Sequence, residues 1–285
     1  MHASDPGPVG SLRRMPAASD ARRLVTNKRA VLGGAGALVL VLAVVLAFVA
    51  FRSGAHDDRP DLSPKASSST PVTTISLQPG YSLIAQAIVP TVGIYDDPSA
   101  PTPAKTVSHP WLLNDEADKQ IPQVFLVEQQ RPDGWLRVLL PERPNGSTGW
   151  IRQSDVQLTP NPYHMEVSLG DHKIKVFQGT NTIYEGPVAI GARDTPTPPG
   201  KYYTRVLIQA PDPNTVYGPY AYGLSAHSDV LTEFNGGDAE VGVHGNNDAS
   251  VLGKSVTHGC IRMDNEEIVK LSKVLPLGTP VEIVN

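Results

Sequence analysis

The chain holds one cysteine, Cys260, in the stretch VHGNNDASVLGKSVTHGCIRMDN, which runs from Val243 to Asn265. A thiol attacks strongly only as thiolate, a form that a nearby imidazole or oriented backbone N–H groups stabilise. His258 stands two residues before Cys260, and His244 sixteen residues before it. Gly259 permits a backbone kink and a close ligand approach. Arg262 adds a permanent positive charge suited to a carboxylate. A nucleophile, a candidate base, a permissive backbone and an anion clamp thus fall within about twenty residues. That set is the equipment of covalent acyl chemistry.

The pair VHG and THGCIRM is similar to the signature of the L,D-transpeptidase catalytic domain, also called the YkuD domain: His, a spacer, Ser or Thr, then His-Gly-Cys. His244 matches the first His, Thr257 the Ser/Thr, and His258, Gly259 and Cys260 the core. TPTPPGKYY resembles the family's Pro-Thr-Pro-x-Gly strand entry, and LGTPVEIV its last strand, so the likeness covers about 163–284. Twelve residues separate His244 from Thr257, slightly fewer than the most quoted spacing, and Arg262 stands where that pattern has Asn. Both departures fit the family's shorter Cys-Ile-Arg-Met branch.

The resemblance implies a β-sandwich-like domain that cross-links peptidoglycan. Cys260 would attack the stem-tetrapeptide amide before the terminal D-Ala, form a thioester, and pass the acyl group to an amine of a neighbouring stem. His244 would take the thiol proton. His258, Gly259 and Thr257, with the amide of Cys260, would support the oxyanion. Arg262, Gly245 and Tyr222 would bind substrate, Tyr222 being as well suited to core packing. The resemblance implies no metal and no organic cofactor, and points to carbapenem-type β-lactams as covalent inhibitors.

Three other readings compete. His244, His258 and Cys260 could form a Cys-His₂ zinc set, but His258 and Cys260 are crowded and no fourth ligand is evident. A sortase-like enzyme uses His, Cys and Arg drawn from separated strands, and a related cysteine acyl enzyme would attach protein or trim stems. A non-catalytic wall-binding module would have no use for His-Gly-Cys. His172 and His227 read as surface or structural histidines.

The elements that must position these residues are mostly strands. Tyr163–Leu169 alternates apolar and polar positions, Gly170-Asp171 suits a two-residue turn, and Lys173 to Phe177 alternates again. Thr182–Ile190, Tyr202–Gln209, Glu240–His244 and Thr279–Val284 are further strands, and Thr195–Gly200 is a stiff proline loop. Asp264 reads as the N-cap, with Glu267 closing a capping box, of a helix whose stripe is Ile268, Leu271 and Leu275. The expected fold class is therefore mainly β with one clear helix.

Upstream, Ile84–Tyr95, Gln123–Gln129, Trp135–Leu140 and Trp150–Leu158 read as strands of a small module spanning 79–159, followed by the catalytic domain at 160–285. Its stretch GWLRVLLPERPNGSTGWIRQSDV resembles the end of a bacterial Src-homology-3-like barrel. Trp135 and Trp150 suit either a barrel core or a ligand-facing patch, the core being the commoner use.

Residues 52–78 hold nine Ser or Thr and three Pro, a linker composition. Ala30–Phe51 is a run of 22 uncharged, apolar residues, long enough for a transmembrane helix of ~33 Å. Residues 1–29 carry six Lys or Arg against two Asp, which by the positive-inside rule makes this tail cytoplasmic. The expected location is the cell membrane, single-pass, with the catalytic domain outside. A cleaved signal peptide is the competing reading of the run. A net charge of −4 with 18% charged residues supplies no basic field for nucleic acid.

The topology generates a prediction. Protease added to intact, wall-stripped cells should digest everything after residue 51. Full protection of the catalytic domain would overturn the orientation.

Overall fold

The computed structural model describes residues 74–113, 118–234 and 237–285. The expected tail and membrane span, and most of the linker, lie outside the described residues, among which no helix is long and apolar enough to cross a membrane.

Two larger sheets, with three two-stranded ones, carry the described chain. The first has five strands in the order Thr148–Arg152, Trp135–Leu139, Val124–Gln130, Ser82–Ala87 and Val156–Asn161, antiparallel throughout. One face buries Ala85, Phe125, Leu136, Val138 and Ile151. Trp135 is buried against Tyr95 in an edge-on pair 4.9 Å apart, with the Arg152 guanidinium 4.7 Å from its ring centre. Trp150 is half-buried under Arg131. Each ring thus carries one arginine guanidinium.

The second sheet has eight strands: Asn181–Pro187, Lys173–Gln178, Tyr163–Ser168, Pro280–Val284, Gly200–Gln209, Tyr220–His227, Glu240–His244 and Ile261–Arg262, in that spatial order. It is mixed. Tyr163–Ser168 runs parallel to Pro280–Val284, and Glu240–His244 parallel to Ile261–Arg262. The connection Leu169–His172 is four residues long, and the positive φ (53°) falls on His172 rather than on Gly170. Ser168 Oγ donates to Asp171 and accepts the Asp171 N–H, which closes the longer turn in place of the expected two-residue one.

The α-helix Asn265–Leu271 packs Ile268 and Leu271 into the core of this second sheet. Asp264 caps it, accepting the N–H groups of Glu266 and Glu267 at 2.8 and 3.1 Å. The Glu267 carboxylate bonds Lys270 at 2.6 Å, so it pairs along the helix instead of reaching back to the cap. The two sheets are not independent. Ile84, Val124, Leu126 and Leu139 of the first form one buried cluster with Tyr203 of the second.

Asp264→Ala should therefore lose about 1 kcal/mol of unfolding free energy, read as a lower urea midpoint with unchanged slope. An unaltered midpoint would show that the cap bonds contribute nothing net.

Candidate active site

The site begins with a register. Glu240–His244 and Ile261–Arg262 run side by side with Val243 opposite Ile261 and His244 opposite Arg262. Cys260 precedes that pairing by one residue and lands beside Gly242. A side chain at Gly242 would place its Cβ 4.0 Å from the Cys260 Sγ and 3.8 Å from the His244 Cδ2. The missing side chain leaves room where thiol and imidazole converge.

Ala189 bonds both backbone groups of Arg262, at 2.9 and 2.8 Å, and the Met263 N–H bonds the His244 carbonyl at 2.8 Å. These bonds lock the short strand in register. The His-Gly-Cys turn is bolted separately. Thr257 Oγ1 donates to the Cys260 carbonyl at 2.6 Å and accepts the Gly259 N–H at 3.2 Å. Gly259 takes φ = 114°, which a side chain would strain. The proline loop clamps the same turn: Thr195 Oγ1 donates to the Thr257 carbonyl at 3.0 Å and Thr197 Oγ1 to the Gly259 carbonyl at 2.8 Å.

His244 is 2% exposed. Its Nδ1 lies 2.7 Å from the Gly245 carbonyl. A carbonyl only accepts, so Nδ1 carries the proton and Nε2 holds the lone pair of the neutral ring. Burial lowers its pKa to about 4; the Gly245 and Tyr217 backbone bonds oppose the shift and Arg262 adds to it. Cys260 is partly exposed. Burial of the thiol raises its pKa, while the Gly242 N–H and the Arg262 charge pull the other way. At neutral pH the resting site is therefore thiol plus neutral imidazole.

A groove of about 340 Å³ opens over these two side chains. Its walls include Tyr217, whose ring lies 5.1 Å from that of His244, Phe234, and Trp111 and Leu113 from the first module.

Other expected site residues sit differently. Tyr222 is fully buried and its hydroxyl donates to the Leu271 and Leu275 carbonyls at the end of the helix, so it backs the groove as core and offers no free hydroxyl to substrate. Gly245 is a packing position: a Cβ there would meet Asn265 Oδ1 at 2.3 Å and Pro219 Cδ at 2.9 Å. The Gly259 N–H is spent on Thr257, while the His258 and Cys260 N–H groups take no part in the bonds that close the turn. The His258 side chain is exposed and packs on Phe234, 5.4 Å between ring centres. Arg262 is half-buried, with its Nε shielded and without a hydrogen-bond partner, and it lies outside the residues lining the groove. Among the described residues no three His, Cys, Asp or Glu side chains group as metal ligands. His227 is buried against Asp238 at 3.2 Å, and half-buried His172 bonds Ser255.

Sequence reasoning missed Asn246 and Asn265. Asn265 Oδ1 accepts the Asn246 N–H at 2.8 Å, Asn265 Nδ2 donates to the Asn246 carbonyl at 2.8 Å, and Asn246 Nδ2 donates to the Met263 carbonyl at 2.7 Å. This exchange holds the turn after His244. The one sequence signal was an Asn-Asn pair directly after His-Gly.

Residues 162–283 match the family model of the L,D-transpeptidase catalytic domain, YkuD. The chain is similar to the putative L,D-transpeptidase YkuD of Bacillus licheniformis, 31% identical over 122 residues, which are 43% of this chain and 66% of that protein. It is also similar to the putative L,D-transpeptidase YqjB of Bacillus subtilis, 34% identical over 109 residues, 34% of this chain and 57% of that one. The chain thus spans under two thirds of these relatives. Among solved structures, Bd1075 of Bdellovibrio bacteriovorus is 26% identical with a TM-score of 0.36, covering 43% of this chain and 48% of that one.

The buried imidazole makes stability pH-dependent. Unfolded, His244 titrates near the ordinary histidine value of 6.5; folded, near 4. The unfolded chain binds the extra proton in that window, so stability held above pH 6.5 is lost as pH falls to 4, by on the order of 3 kcal/mol. His244→Gln should flatten this decline in urea titrations at pH 7 and pH 4.5. Equal declines in both proteins would refute the assignment.

Proposed function

We propose that this chain is a peptidoglycan L,D-transpeptidase that acts on stem tetrapeptides through a Cys260 thioester. The observation that carries the reading is the convergence of Cys260 Sγ and the His244 ring on the space above Gly242, within a YkuD-type segment.

In this reading the donor carbonyl enters the groove over Sγ. Nε2 of His244 takes the thiol proton as sulfur attacks, because at rest the thiol is neutral and the imidazole unprotonated. The Cys260 N–H faces the developing oxyanion. Collapse of the tetrahedral intermediate breaks the C–N bond, and the imidazolium returns the proton to the departing D-alanine amine. An amine of a neighbouring stem then attacks the thioester, loses its proton to His244, and releases the thiol. Arg262, half-buried near the pair and without an ion-pair partner among the described residues, suits the terminal carboxylate of the donor. No step calls on a metal or organic cofactor. We place the activity on the outer side of the membrane, tethered by the 30–51 segment.

The test uses purified ectodomain, disaccharide-tetrapeptide and a chosen amine, followed by mass spectrometry. A carbapenem should add its mass once, on the peptide holding Cys260. Cys260→Ala should abolish adduct and turnover. His244→Ala should cost about 10²–10⁴-fold, with partial recovery at raised pH. Arg262→Ala should act on KM more than on kcat. D-Alanine release by Cys260→Ala would contradict the mechanism. Labelling of Cys260 with no amine transfer would keep the nucleophile and remove the transferase.

A further inference from the structure

We propose that the first module forms part of the acyl-donor subsite: Trp111 and Leu113 make an apolar platform in the catalytic groove, against which the donor peptide packs beyond its scissile amide. This rests on Cys260 being the acylated residue.

A donor must bring its carbonyl carbon to within ~3–3.5 Å of Sγ. It therefore has to lie in the groove that opens on Sγ. That groove, at about 340 Å³, far exceeds one amide and falls in the size range that encloses most of a peptide-sized ligand. The rest of the donor must touch its walls. Trp111 and Leu113 line the groove together with His244 and Cys260, although they are some 130–150 residues away in sequence. Both are half-buried, so each keeps open surface.

The platform is also held in place. Trp111 starts the short strand Trp111–Leu112, paired with Gln120–Ile121. The Arg205 guanidinium lies 4.7 Å from the Trp111 ring centre. Arg205 is ion-paired with Glu240, the first residue of the strand that ends at His244. One chain of contacts thus ties the indole to the catalytic strand. Val206 and Ile208 extend the same apolar wall. Such a surface suits the methyl and methylene groups of a short peptide. It grips ground state and transition state alike, so its loss appears in KM.

The experiment compares the full chain with Trp111→Ala, Trp111→Phe and Leu113→Ala, each checked for an unchanged melting temperature. Three reactions are followed: D-alanine release from tetrapeptide, release from a donor truncated to the dipeptide around the scissile amide, and carbapenem acylation of Cys260. Trp111→Ala should raise KM for tetrapeptide about tenfold, with kcat unchanged, and leave the dipeptide and carbapenem rates as they were. Leu113→Ala should act in the same direction and Trp111→Phe should retain most of the affinity. A tetrapeptide KM unchanged in Trp111→Ala overturns the platform, as does an equal fall of all three rates, which would mark a structural role. A wild-type chain that labels with carbapenem yet turns over no stem peptide overturns both the platform and the functional reading.

Discussion

The parallel pairing of Glu240–His244 with Ile261–Arg262 is the constraint on which the site depends. Two residues of partner strand are a weak tie by themselves. They hold because Ala189 bonds Arg262 on its far side and Met263 bonds the His244 carbonyl. A slip of one residue would turn Cys260 away from His244, since side-chain direction alternates along a strand. The polar bolts around it serve that register. Thr257, Thr195 and Thr197 fix the turn that delivers Cys260, and the Asn246–Asn265 exchange fixes the turn that follows His244. Each buried hydroxyl or amide satisfies a backbone group that would otherwise be costly to bury.

Electrostatics follow from the same packing. Enclosing His244 penalises its charged form, and enclosing the Cys260 thiol penalises thiolate. Both shifts oppose a preformed ion pair. In the proposed reaction the charge would therefore appear only as sulfur bonds to the donor carbonyl. A thiol kept neutral until then resists stray electrophiles and oxidation, which follow thiolate character. The Arg262 charge lowers the pKa of both groups, and its own Nε is shielded without a hydrogen-bond partner.

Much of this was legible in the chain. Alternation marked most of the second sheet, and Asp264 announced its helix, because period and cap chemistry are local. The His-Gly-Cys stretch pointed to a candidate nucleophile, because a lone thiol beside His, Gly and Arg has few other uses. What stayed hidden was set by tertiary contacts. Tyr220–His227 is a central strand, yet it sits beside Gly218 and Pro219 and contains Gly223, so no strand was read there. Tyr222 could have faced substrate or core, and only the helix-end carbonyls it meets decide for core. Gly259 read as an oxyanion donor until its N–H was found on Thr257, a bond that needs the turn's three-dimensional closure.

The relation between the two sheets was likewise beyond sequence, and it changes how the first module should be regarded. A separate wall-binding domain would need little contact with the catalytic sheet. Here Asn145 accepts the His227 N–H at 2.9 Å and donates to the His227 carbonyl at 2.7 Å. Arg143 donates to the Leu231 carbonyl at 2.8 Å and to the Asp238 carbonyl at 3.3 Å. Those bonds grip the chain on either side of Phe234, which forms a wall of the groove and packs on His258. The shared cluster around Tyr203 joins the sheets apolarly as well. Side-chain-to-backbone bonds of this kind fix the position of the segment without specifying its sequence. The module thus braces one wall of the groove through Asn145 and Arg143 and lines another with Trp111 and Leu113, so the groove is built by both modules and not by the 162–283 segment alone.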